Sequence, residues 1–420
     1  MPESSFKRIS VIGLGYIGLP TAAMFASRKI EVVGVDVNQH AVDTINRGKV
    51  HIVEPDLDMV VHAAVHEGYL RATNEPEPAE AFLIAVPTPF KGEDHEPDLK
   101  YIEAAAKAIA PVLAVGNLIV LESTSPVGAT EAMADWLAEA RPDLTFPQTH
   151  GEASDIRVAH CPERVLPGKV MQELISNDRV IGGMTSACSA RAVTLYQTFV
   201  KGECVMASGP RAAEMAKLTE NSFRDVNIAF ANELSMICDK LDIDVWELIR
   251  LANRHPRVNI LQPGPGVGGH CIAVDPWFIV SSAPDTARLI RTAREVNDSK
   301  PLWVLEQVRA AIGAHLVENP TKTVQEVTLA VYGLAFKPDI DDLRESPALE
   351  IARELHSLHK GPLLVVEPNI RTLPQDLGNA QFVPLGEIRA DVHVMLVDHK
   401  PFRKCPKPEG HLVDARGVWR

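Results

Sequence analysis

A glycine pattern near the amino terminus places the strongest constraint on the fold. Gly13, Gly15 and Gly18 follow the apolar run Ile9–Ile12, and Asp36 ends a second apolar run 18 residues after Gly18. Glycines at this spacing form a tight turn between a strand and a helix, where a dinucleotide pyrophosphate binds, and the acid accepts hydrogen bonds from the ribose hydroxyls. The pattern predicts a doubly wound α/β domain that binds a dinucleotide.

The acidic residue also indicates which dinucleotide binds. The carboxylate of Asp36 would repel a 2′-phosphate, and no arginine follows it in Val37-Asn38. NAD is therefore expected rather than its 2′-phosphorylated relative. The alternative is a glycine-rich turn that binds no ligand.

Further apolar runs predict more strands, at Ala81–Val86, Leu118–Leu121, Arg157–His160 and Cys204–Met206. Parallel sheets bind ligands beyond the carboxyl ends of their strands, so the loops that follow the first three runs are candidate ligand loops. These are residues 87–89, 122–128 and 161–164. The alternatives are local: Thr124 or Ser125 caps the helix that begins near Ala129, and Glu163 is only a surface charge.

A long helix is expected from Pro210 past Asn221 towards Lys240, because no glycine or further proline interrupts the segment. Glu214, Lys217 and Asn221 lie three and four residues apart, so an acid, a base and an amide share one face. The alternative is a solvated face. Neighbouring alanines, methionine and phenylalanines favour a helix that is buried on several sides.

Residues 264–271 combine four glycines with a cysteine. The glycines allow another molecule to approach the main chain closely, and Pro265 stiffens the segment. If the apolar run Ile272–Val280 is helical, Cys271 lies near a helix N-terminus, where the helix dipole favours a thiolate. Cys271 is therefore a candidate nucleophile. The alternative is a tight turn with a buried cysteine.

A basic segment follows this loop, with Arg288, Arg291 and Arg294 at helical spacing, and it predicts a local positive surface in an acidic protein. Pro301 is predicted to open another helix. The polar run from residue 318 to 326 is typical of the entry to a separate domain.

The last third repeats the opening in outline. Val327–Tyr332 and Leu363–Val366 are predicted strands around the predicted helix Pro347–Leu358, and Val392–Val397 is a later strand. This order predicts a second doubly wound unit. Its turn lacks the later glycines of the first, so a second dinucleotide is not expected. The cations near the strand ends that could hold phosphates are Lys337 and Arg344.

Length and charge limit the classes of function. The 420 residues are enough for two or three domains, and a net charge of −13 argues against a nucleic-acid binder. The six cysteines lie far apart, so reduced thiols and a cytosolic setting are expected, with neither disulfides nor a metal site. Glycines within the apolar run at residues 9–26 favour the dinucleotide turn over a signal peptide.

A nucleophilic cysteine beside a nicotinamide predicts a specific reaction. The thiolate can trap an aldehyde as a thiohemiacetal, which is oxidised again to a thioester and then hydrolysed. The expected reaction is a double oxidation from alcohol to acid that uses two NAD. One alternative is a single-step hydroxyacid or alcohol dehydrogenase with a structural cysteine, and another is a non-catalytic nucleotide-sensing protein.

Six segments carry a resemblance to the UDP-glucose/GDP-mannose dehydrogenase family. In chain order they are GLGYIG, ESTSPVG, CPERVLPG, EMAKLTENSFRDVNIAFANE, PGPGVGGHCIAVDP and GLAFKPDIDDLRESPA. The resemblance covers essentially the whole chain. It implies two Rossmann-like domains joined by a central helical region, with an NAD-binding domain at 1–206, central helices at 207–300 and a UDP-sugar-binding domain at 301–420.

Within this family, His270 and the run Ile272–Val280 resemble the bacterial members that act on UDP-N-acetyl-D-mannosamine. Val274 stands where the members that oxidise UDP-glucose usually carry a lysine. The resemblance therefore implies oxidation of UDP-N-acetyl-D-mannosamine to the uronate for surface polysaccharide synthesis, with UDP-glucose or UDP-N-acetylglucosamine as alternative substrates. It also implies a homodimer built on the central helices.

The resemblance assigns catalytic roles by position. Cys271 matches the thioester-forming nucleophile, and Lys217, with Asn221 beside it, matches the lysine that stabilises the oxyanion or moves protons. The general base is Lys217, Glu163 or a water on Asp275, which remain alternatives. Thr124 matches a residue that positions water or nicotinamide.

The binding roles implied by the resemblance fall into two groups. Residues expected to bind the cofactor are Gly13, Gly15, Tyr16, Ile17, Gly18, Asp36, Thr88, Thr124 and Arg344. Residues expected to bind the UDP-sugar are Arg164, Val165, Lys217, Asn221, Arg224, His255, Arg257, Gly268, Phe336, Lys337 and Arg420, with His255 and Arg257 reaching it from the partner subunit.

Overall fold

The chain divides into two structural units. The computed structural model describes residues 6–92, 95–166, 168–269, 271–386 and 388–419. The first unit comprises Met1–Glu220 and Trp277–Ala283, and the second comprises Asn221–Pro276 and Pro284–Arg420. The expected three-part division at residues 206 and 300 stays a prediction.

The first unit is organised on one large sheet. Its strands are β1 (Arg8–Ile12), β2 (Glu31–Val35), β3 (Leu70–Thr73), β4 (Ala81–Ile84), β7 (Leu118–Leu121), β8 (Arg157–His160), β9 (Arg179–Gly183) and β10 (Cys204–Met206), and a separate hairpin pairs β5 (Phe90–Lys91) with β6 (Glu96–Pro97). Within the described residues the sheet has the order β10-β9-β8-β7-β4-β1-β2-β3. Strands β4 and β7 are buried at every position, which explains their unbroken apolar sequences.

The strand order reverses at β1, which pairs in parallel with β2 on one side and β4 on the other. Ile12, the last residue of β1, faces Val35 and Ile84. The turn after β1 therefore lies at the topological switch point, where doubly wound sheets bind ligands.

One part of this sheet departs from the expected parallel arrangement. Strand β9, which the sequence pattern does not predict, runs antiparallel to β8, and β10 is parallel to β9. Gly182 and Gly183 permit this packing, because an added Cβ would lie 2.2 Å from the carbonyl oxygen of Gly209 and 2.3 Å from the nitrogen of Ser189, respectively.

The first unit's helices cover the sheet. They are α1 (Gly18–Ala26), α2 (Gln39–Asn46), α3 (Leu57–His66), α4 (Lys100–Ile109), α5 (Ala129–Ala140), α6 (Pro147–His150), α7 (Val170–Ser176) and α8 (Ser186–Tyr196). All nine residues of α1 are buried, and its glycine and alanines let it pack closely against its neighbours.

The second unit contains a five-stranded parallel sheet in the order β13-β12-β11-β14-β15 among the described residues. The strands are β11 (Leu329–Tyr332), β12 (Leu363–Val366), β13 (Gln381–Phe382), β14 (Val392–Met395) and β15 (His411–Asp414). Strand β11 has parallel partners on both sides, as β1 has in the first unit. The prediction of a second doubly wound unit is confirmed.

The remaining helices are α9 (Pro210–Lys240), α10 (Val245–Ala252), α11 (Asp275–Ser282), α12 (Arg288–Glu318) and α13 (Pro347–Leu358). The predicted long helix from Pro210 to Lys240 is confirmed. Among the described residues, no helix is both long enough and apolar enough to span a membrane.

Helix α12 corrects two expectations. Pro301 lies inside it and does not open a new helix, and Arg294 is 1% exposed, so it adds nothing to a positive surface. A proline in a helix interior loses a hydrogen bond, but here the residues one turn before it are buried and bonded to α9. Asn297 and Lys300 donate to Asp225 and Ser235, respectively, and these tertiary contacts outweigh the local cost.

Candidate active site

The glycine turn of the first unit has the shape that a pyrophosphate requires. Gly13 adopts a φ of 92° and donates to the carbonyl of Val35 at 2.8 Å. An added Cβ on Gly18 would lie 1.8 Å from the carbonyl oxygen of Gly13, so only glycine fits the start of α1. An added Cβ on Gly15 would meet no described heavy atom within 4 Å, which leaves space beside the first turn of the helix.

Asp36 follows β2 and is held in place by the main chain. The N–H of Leu14 donates to Oδ2, and the N–H of Asn38 donates to Oδ1, both at 2.8 Å. A carboxylate has further lone pairs, so Asp36 can still accept from ribose hydroxyls. With the glycine turn it gives a donor and acceptor set that fits NAD.

Four other predicted residues lie at the same edge of the sheet, in loops or at the start of α1. Thr88 and Thr124 are half-buried in the loops after β4 and β7. The hydroxyl of Ser123, next to Thr124, donates to the carbonyl of Val86 at 2.6 Å and so connects the two loops. Tyr16 is half-buried beside the glycine turn, as is Ile17, the N-cap residue of α1.

Helix α5 shows that neither Thr124 nor Ser125 is its cap. The helix begins after Gly128, and the N–H groups of Gly128 and Thr130 donate to the carboxylate of Glu214 at 2.7 and 2.8 Å. Burial raises the pKa of Glu214. Glu214 therefore anchors α9 to the loop that contains Thr124, a role that its helical spacing alone does not reveal.

Glu163 is buried in an ionic cluster, so its interpretation as a surface charge is wrong. Its Oε2 lies 2.6 Å from Nη1 of Arg179, and the two side chains are 5% and 1% exposed. The main-chain N–H of Arg164 donates to its Oε1 at 2.6 Å. The guanidinium of Arg164 pairs with Glu220, also at 2.6 Å. The acid or base role of Glu163 stays a prediction.

A second carboxyl belongs to the same cluster. Glu122 is 1% exposed and accepts from the hydroxyl of Tyr196 at 2.6 Å. Burial raises the pKa of Glu122 to about 7, although Arg179 opposes the shift. Arg179 and Tyr196 are not predicted from the sequence, because neither lies in a recognisable motif. The available signal was an arginine within the otherwise apolar run 179–183.

The cysteine segment of the second unit differs from its expected geometry. Cys271 is exposed, and α11 begins only at Asp275, so Cys271 is not in the first turn of the helix. Residues 271–274 instead form a turn in which the Cys271 carbonyl accepts from the N–H groups of Val274 and Asp275 at 3.2 and 2.8 Å. The helix therefore starts one turn late, and the interpretation of Cys271 as a buried cysteine is wrong.

Asn221 and Asp275 are brought together by side-chain contact, because the amide nitrogen of Asn221 donates to Oδ2 of Asp275. The amide nitrogen carries two N–H groups, so it can also serve a substrate oxygen. Lys217 lies one turn earlier on α9 and is half-buried.

The glycines before Cys271 are explained by packing within the second unit. An added Cβ on Gly268 would lie 2.2 Å from the carbonyl oxygen of Glu345, and one on Gly269 would lie 3.0 Å from the ring of Phe336. The structure thus brings two predicted substrate residues, Gly268 and Phe336, together. The absence of side chains at these glycines therefore makes room for other residues of the second unit.

The turn after β11 is closed where the first unit's turn is open. Glu367 stands where Asp36 stands and accepts from the N–H of Leu334 at 2.7 Å. His399 Nε2 donates to the same carboxylate oxygen at 3.0 Å, and both side chains are fully buried. The Glu367 carboxylate is thus occupied within the protein, and the expectation of a single dinucleotide site stays a prediction.

The other predicted binding residues are distributed over the surface of the described chain. Lys337 and Val165 are half-buried, and Arg344 is exposed and paired with Asp342 at 2.6 Å. The exposed residues of the helical segment are Arg224, His255 and Arg257. His270 and Arg420 lie outside the described residues.

Three models of one family match the chain in series. The NAD-binding domain of the UDP-glucose/GDP-mannose dehydrogenase family matches residues 7–200, the central domain matches 211–299, and the UDP-binding domain matches 330–420. The chain belongs to this family. It is an NAD-dependent nucleotide-sugar dehydrogenase, so the predicted enzyme class, cofactor and fold are confirmed.

Curated and structural relatives of this dehydrogenase extend over its whole length. UDP-N-acetyl-D-mannosamine dehydrogenase of Yersinia pestis is 68% identical, covering 99% of this chain and 100% of the relative. NDP-N-acetyl-D-galactosaminuronic acid dehydrogenase of Ralstonia nicotianae is 63% identical, covering 99% and 97%. The solved UDP-D-ManNAc dehydrogenase from Pyrococcus horikoshii has a TM-score of 0.85 at 37% identity, covering 98% and 96%.

The raised pKa of Glu122 predicts a pH-dependent loss of stability. The folded pKa of about 7 exceeds the ordinary value of 4.5, so the folded state retains a proton that the unfolded state releases as the pH rises. This contribution to stability is fully present below about pH 4.5. It is lost as the pH rises through about 7. Glu122→Gln should therefore gain about 3 kcal/mol relative to the wild type across this window.

Urea unfolding at about pH 5 and about pH 8 measures this difference. Glu139→Gln, at an exposed position of α5, is the matched control and should keep a constant offset from the wild type. A constant offset for Glu122→Gln as well would show that the Glu122 carboxyl is ionised in the folded protein.

Proposed function

We propose that this dehydrogenase oxidises the primary alcohol of UDP-N-acetyl-D-mannosamine to the uronate, in the cytoplasm and in the service of surface polysaccharide synthesis. The observation that carries the choice of sugar is 68% identity to a full-length UDP-N-acetyl-D-mannosamine dehydrogenase. The exposed thiol of Cys271, in the turn before Asp275, supports an oxidation that proceeds through the aldehyde to the acid.

The overall reaction balances as one alcohol, two NAD⁺ and one water giving one carboxylate, two NADH and three protons. NAD, when bound, accepts a hydride in each oxidation. In the first step Lys217 or a water that it holds receives the hydroxyl proton, so that the alcohol carbon becomes an aldehyde. The glycine turn and Asp36 hold the cofactor, with Tyr16, Ile17, Thr88 and Arg344 as further contacts.

The Cys271 thiolate then adds to the aldehyde carbon. A carbon–sulfur bond forms, and the carbonyl oxygen becomes an oxyanion that the Lys217 ammonium and the Asn221 amide stabilise. Donors of this kind are worth about 3–4 kcal/mol each. The contact with Asp275 fixes the Asn221 amide plane, so this donor is oriented before the charge develops.

In the second oxidation the thiohemiacetal carbon gives up a hydride and becomes a thioester. Hydrolysis of this thioester completes the reaction. A water loses its proton to Lys217, to Glu163 or through a water on Asp275, and it attacks the carbonyl carbon while the carbon–sulfur bond breaks. Thr124 positions this water or the nicotinamide. Arg179 holds the Glu163 carboxyl group in place at a distance of 2.6 Å.

The remaining predicted residues bind the UDP-sugar. Lys337 and Arg420 would neutralise the diphosphate and Phe336 would contact the nucleotide. Arg164 and Val165 cover the sugar. Arg224, His255 and Arg257 complete the site, with the last two reaching it from a second copy of the chain.

An apolar stripe on α9 supports the homodimer. Phe223, Phe230 and Ile237 recur every seven residues and are 70%, 53% and 43% exposed. Side chains at this spacing lie on one side of a helix and can pack against a second helix. The stripe is therefore the surface through which the central helices would pair.

A second candidate function has its own support. The relative named NDP-N-acetyl-D-galactosaminuronic acid dehydrogenase is 63% identical over nearly the full chain. Sugar epimers are distinguished by pocket shape, so oxidation of a UDP-N-acetylgalactosamine is the closest competitor, ahead of UDP-glucose and UDP-N-acetylglucosamine.

A panel of these four UDP-sugars with NAD tests the substrate. UDP-N-acetylmannosamine should have the highest kcat/KM and release two NADH for each uronate formed, measured by absorbance and by mass spectrometry of the product. Equal turnover of the four would remove the substrate assignment, and one NADH per product would favour the single-step alternative. Absence of NADH with every sugar would support the nucleotide-sensing alternative.

The variant Cys271→Ser tests the covalent route. A serine hydroxyl is a far weaker nucleophile than a thiolate, so NAD binding should persist while formation of the uronate stops. Cys405→Ser, at a half-buried cysteine of the second unit, should retain wild-type turnover. Normal uronate production by Cys271→Ser would rule out the thioester.

The variant Phe230→Glu tests the dimer surface. A charge in the centre of the apolar stripe should convert the homodimer to a monomer in sedimentation analysis, because the glutamate would be desolvated on pairing. Val317→Glu alters an equally apolar position that is 82% exposed on α12 and should leave the dimer intact. A dimer that survives Phe230→Glu would place the interface elsewhere.

A further inference from the structure

The cysteine loop, residues 264–271, begins at a peptide group whose two polar atoms are both held by side chains. The N–H of Gly264 donates to Oδ1 of Asn232 at 2.8 Å. The carbonyl of the preceding Pro263 accepts from Nη1 of Arg416 at 3.3 Å. Pro263, Gly264 and Asn232 are buried.

The orientation of the Asn232 amide follows from a buried carboxylate. The Asp225 carboxylate only accepts hydrogen bonds, so Asn297 must turn its nitrogen towards it, and it does so at 2.8 Å. The oxygen of Asn297 therefore faces Asn232 and accepts from its Nδ2 at 2.9 Å. This leaves the oxygen of Asn232 directed at Gly264.

A buried ion pair holds the Asp225 carboxylate, at which this series of hydrogen bonds ends. Arg294 lies 2.7 Å from Asp225, and the two side chains are 1% and 0% exposed. Burial raises the pKa of Asp225, and the Arg294 guanidinium opposes that shift. The contact with Asp225 orients the Asn297 amide, which in turn orients the Asn232 amide. The ion pair between Asp225 of α9 and Arg294 of α12 therefore determines that Asn232 directs its oxygen towards the N–H of Gly264.

The loop from Gly264 to Gly269, which precedes Cys271, is short and closely packed. An added Cβ on Gly266 would lie 2.9 Å from Pro347, and one on Gly268 would lie 2.2 Å from the Glu345 carbonyl oxygen. A shift of the entry peptide is therefore not absorbed between Gly264 and Gly269, and it reaches the end of the segment that leads to Cys271.

We infer that Asn232 is a positioning residue for Cys271, acting through the main-chain N–H of Gly264. This inference rests on the proposed role of Cys271 as the nucleophile. Asn232 thus affects the position of the thiol from a buried site on α9, without contacting substrate or cofactor.

The variant Asn232→Leu removes the acceptor while retaining similar volume. Misplacement of a nucleophile by about 1 Å can reduce turnover by up to about 100-fold, so kcat should fall at least about tenfold with the NAD dissociation constant unchanged. Ser235→Ala is the matched control. It removes the contact between Ser235 and Lys300 on the same two helices but no contact to the loop, so it should lose stability and keep kcat.

The variant Asn232→Asp separates positioning from stability. It keeps an oxygen for Gly264 and loses the donor to Asn297, so it should be less stable than the wild type yet retain a higher kcat than Asn232→Leu. Equal kcat for the two Asn232 variants, or wild-type kcat for Asn232→Leu, would overturn the inference.

Hydrogen exchange provides a test that needs no folded variant. Gly264 lies between Pro263 and Pro265, so it carries the single backbone N–H of that tripeptide. In the wild-type protein this amide should exchange on the order of 100-fold or more slower than in an unfolded peptide. Unprotected exchange would overturn the inference even if every Asn232 variant failed to fold.

The two proposals fail in different ways. If the wild type oxidises none of the UDP-sugars, the proposed function falls while the protection of Gly264 is still measurable. If the wild type makes the uronate with two NADH and Asn232→Leu does so at the same rate, the proposed function stands and the positioning role falls.

Discussion

The buried polar contacts between α9 and α12 support much of the second unit. Arg294, Asn297 and Lys300 recur every three residues on α12 and meet Asp225, Asn232 and Ser235 on α9. An unpaired buried polar group costs about 1–3 kcal/mol, and breaking a buried ion pair costs about 3–5 kcal/mol. The two helices can therefore pair in one register only. Because Asn221 and Asn232 belong to the same helix, that register also sets where the loop of Cys271 begins relative to the Asn221 amide.

The two sheets show how one topology supports two different surfaces. Asp36 and Glu367 each follow the second strand of their sheet, and each accepts from a main-chain N–H of the preceding turn, at 2.8 and 2.7 Å. They differ in what else reaches the carboxylate. His399 donates to Glu367 and seals it, whereas Asp36 is partly exposed beside Gly15, where space remains. The buried imidazole of His399 thus gives Glu367 a structural role, whereas Asp36 can still accept from a ribose.

Features set by local chemistry could be predicted from the sequence. The glycine turn, the apolar strands and the long helix α9 follow from steric limits and periodicity within a few residues. Features set by distant partners could not. Pro301 stays within a helix because buried residues beside it bond to α9. Gly182 of β9 packs against Gly209, which lies beyond the next strand in the sequence. For the site, the motifs indicated Cys271, Asn221 and Asp275, but the buried partners of Glu163 lie outside any motif.

The glycines of the cysteine loop lie in close steric contact with the turn after β11. Gly268 and Gly269 leave no space for a Cβ against Glu345 and Phe336, and Phe336 belongs to the turn that the UDP-binding domain model includes. Any movement of that turn towards the loop would press on main chain, which cannot yield as a flexible side chain would. A nucleotide that orders Phe336 would therefore also restrict the segment that ends in Cys271. The glycines thus couple the loop before Cys271 to the turn after β11 by direct contact, which is a stricter requirement than room for a ligand.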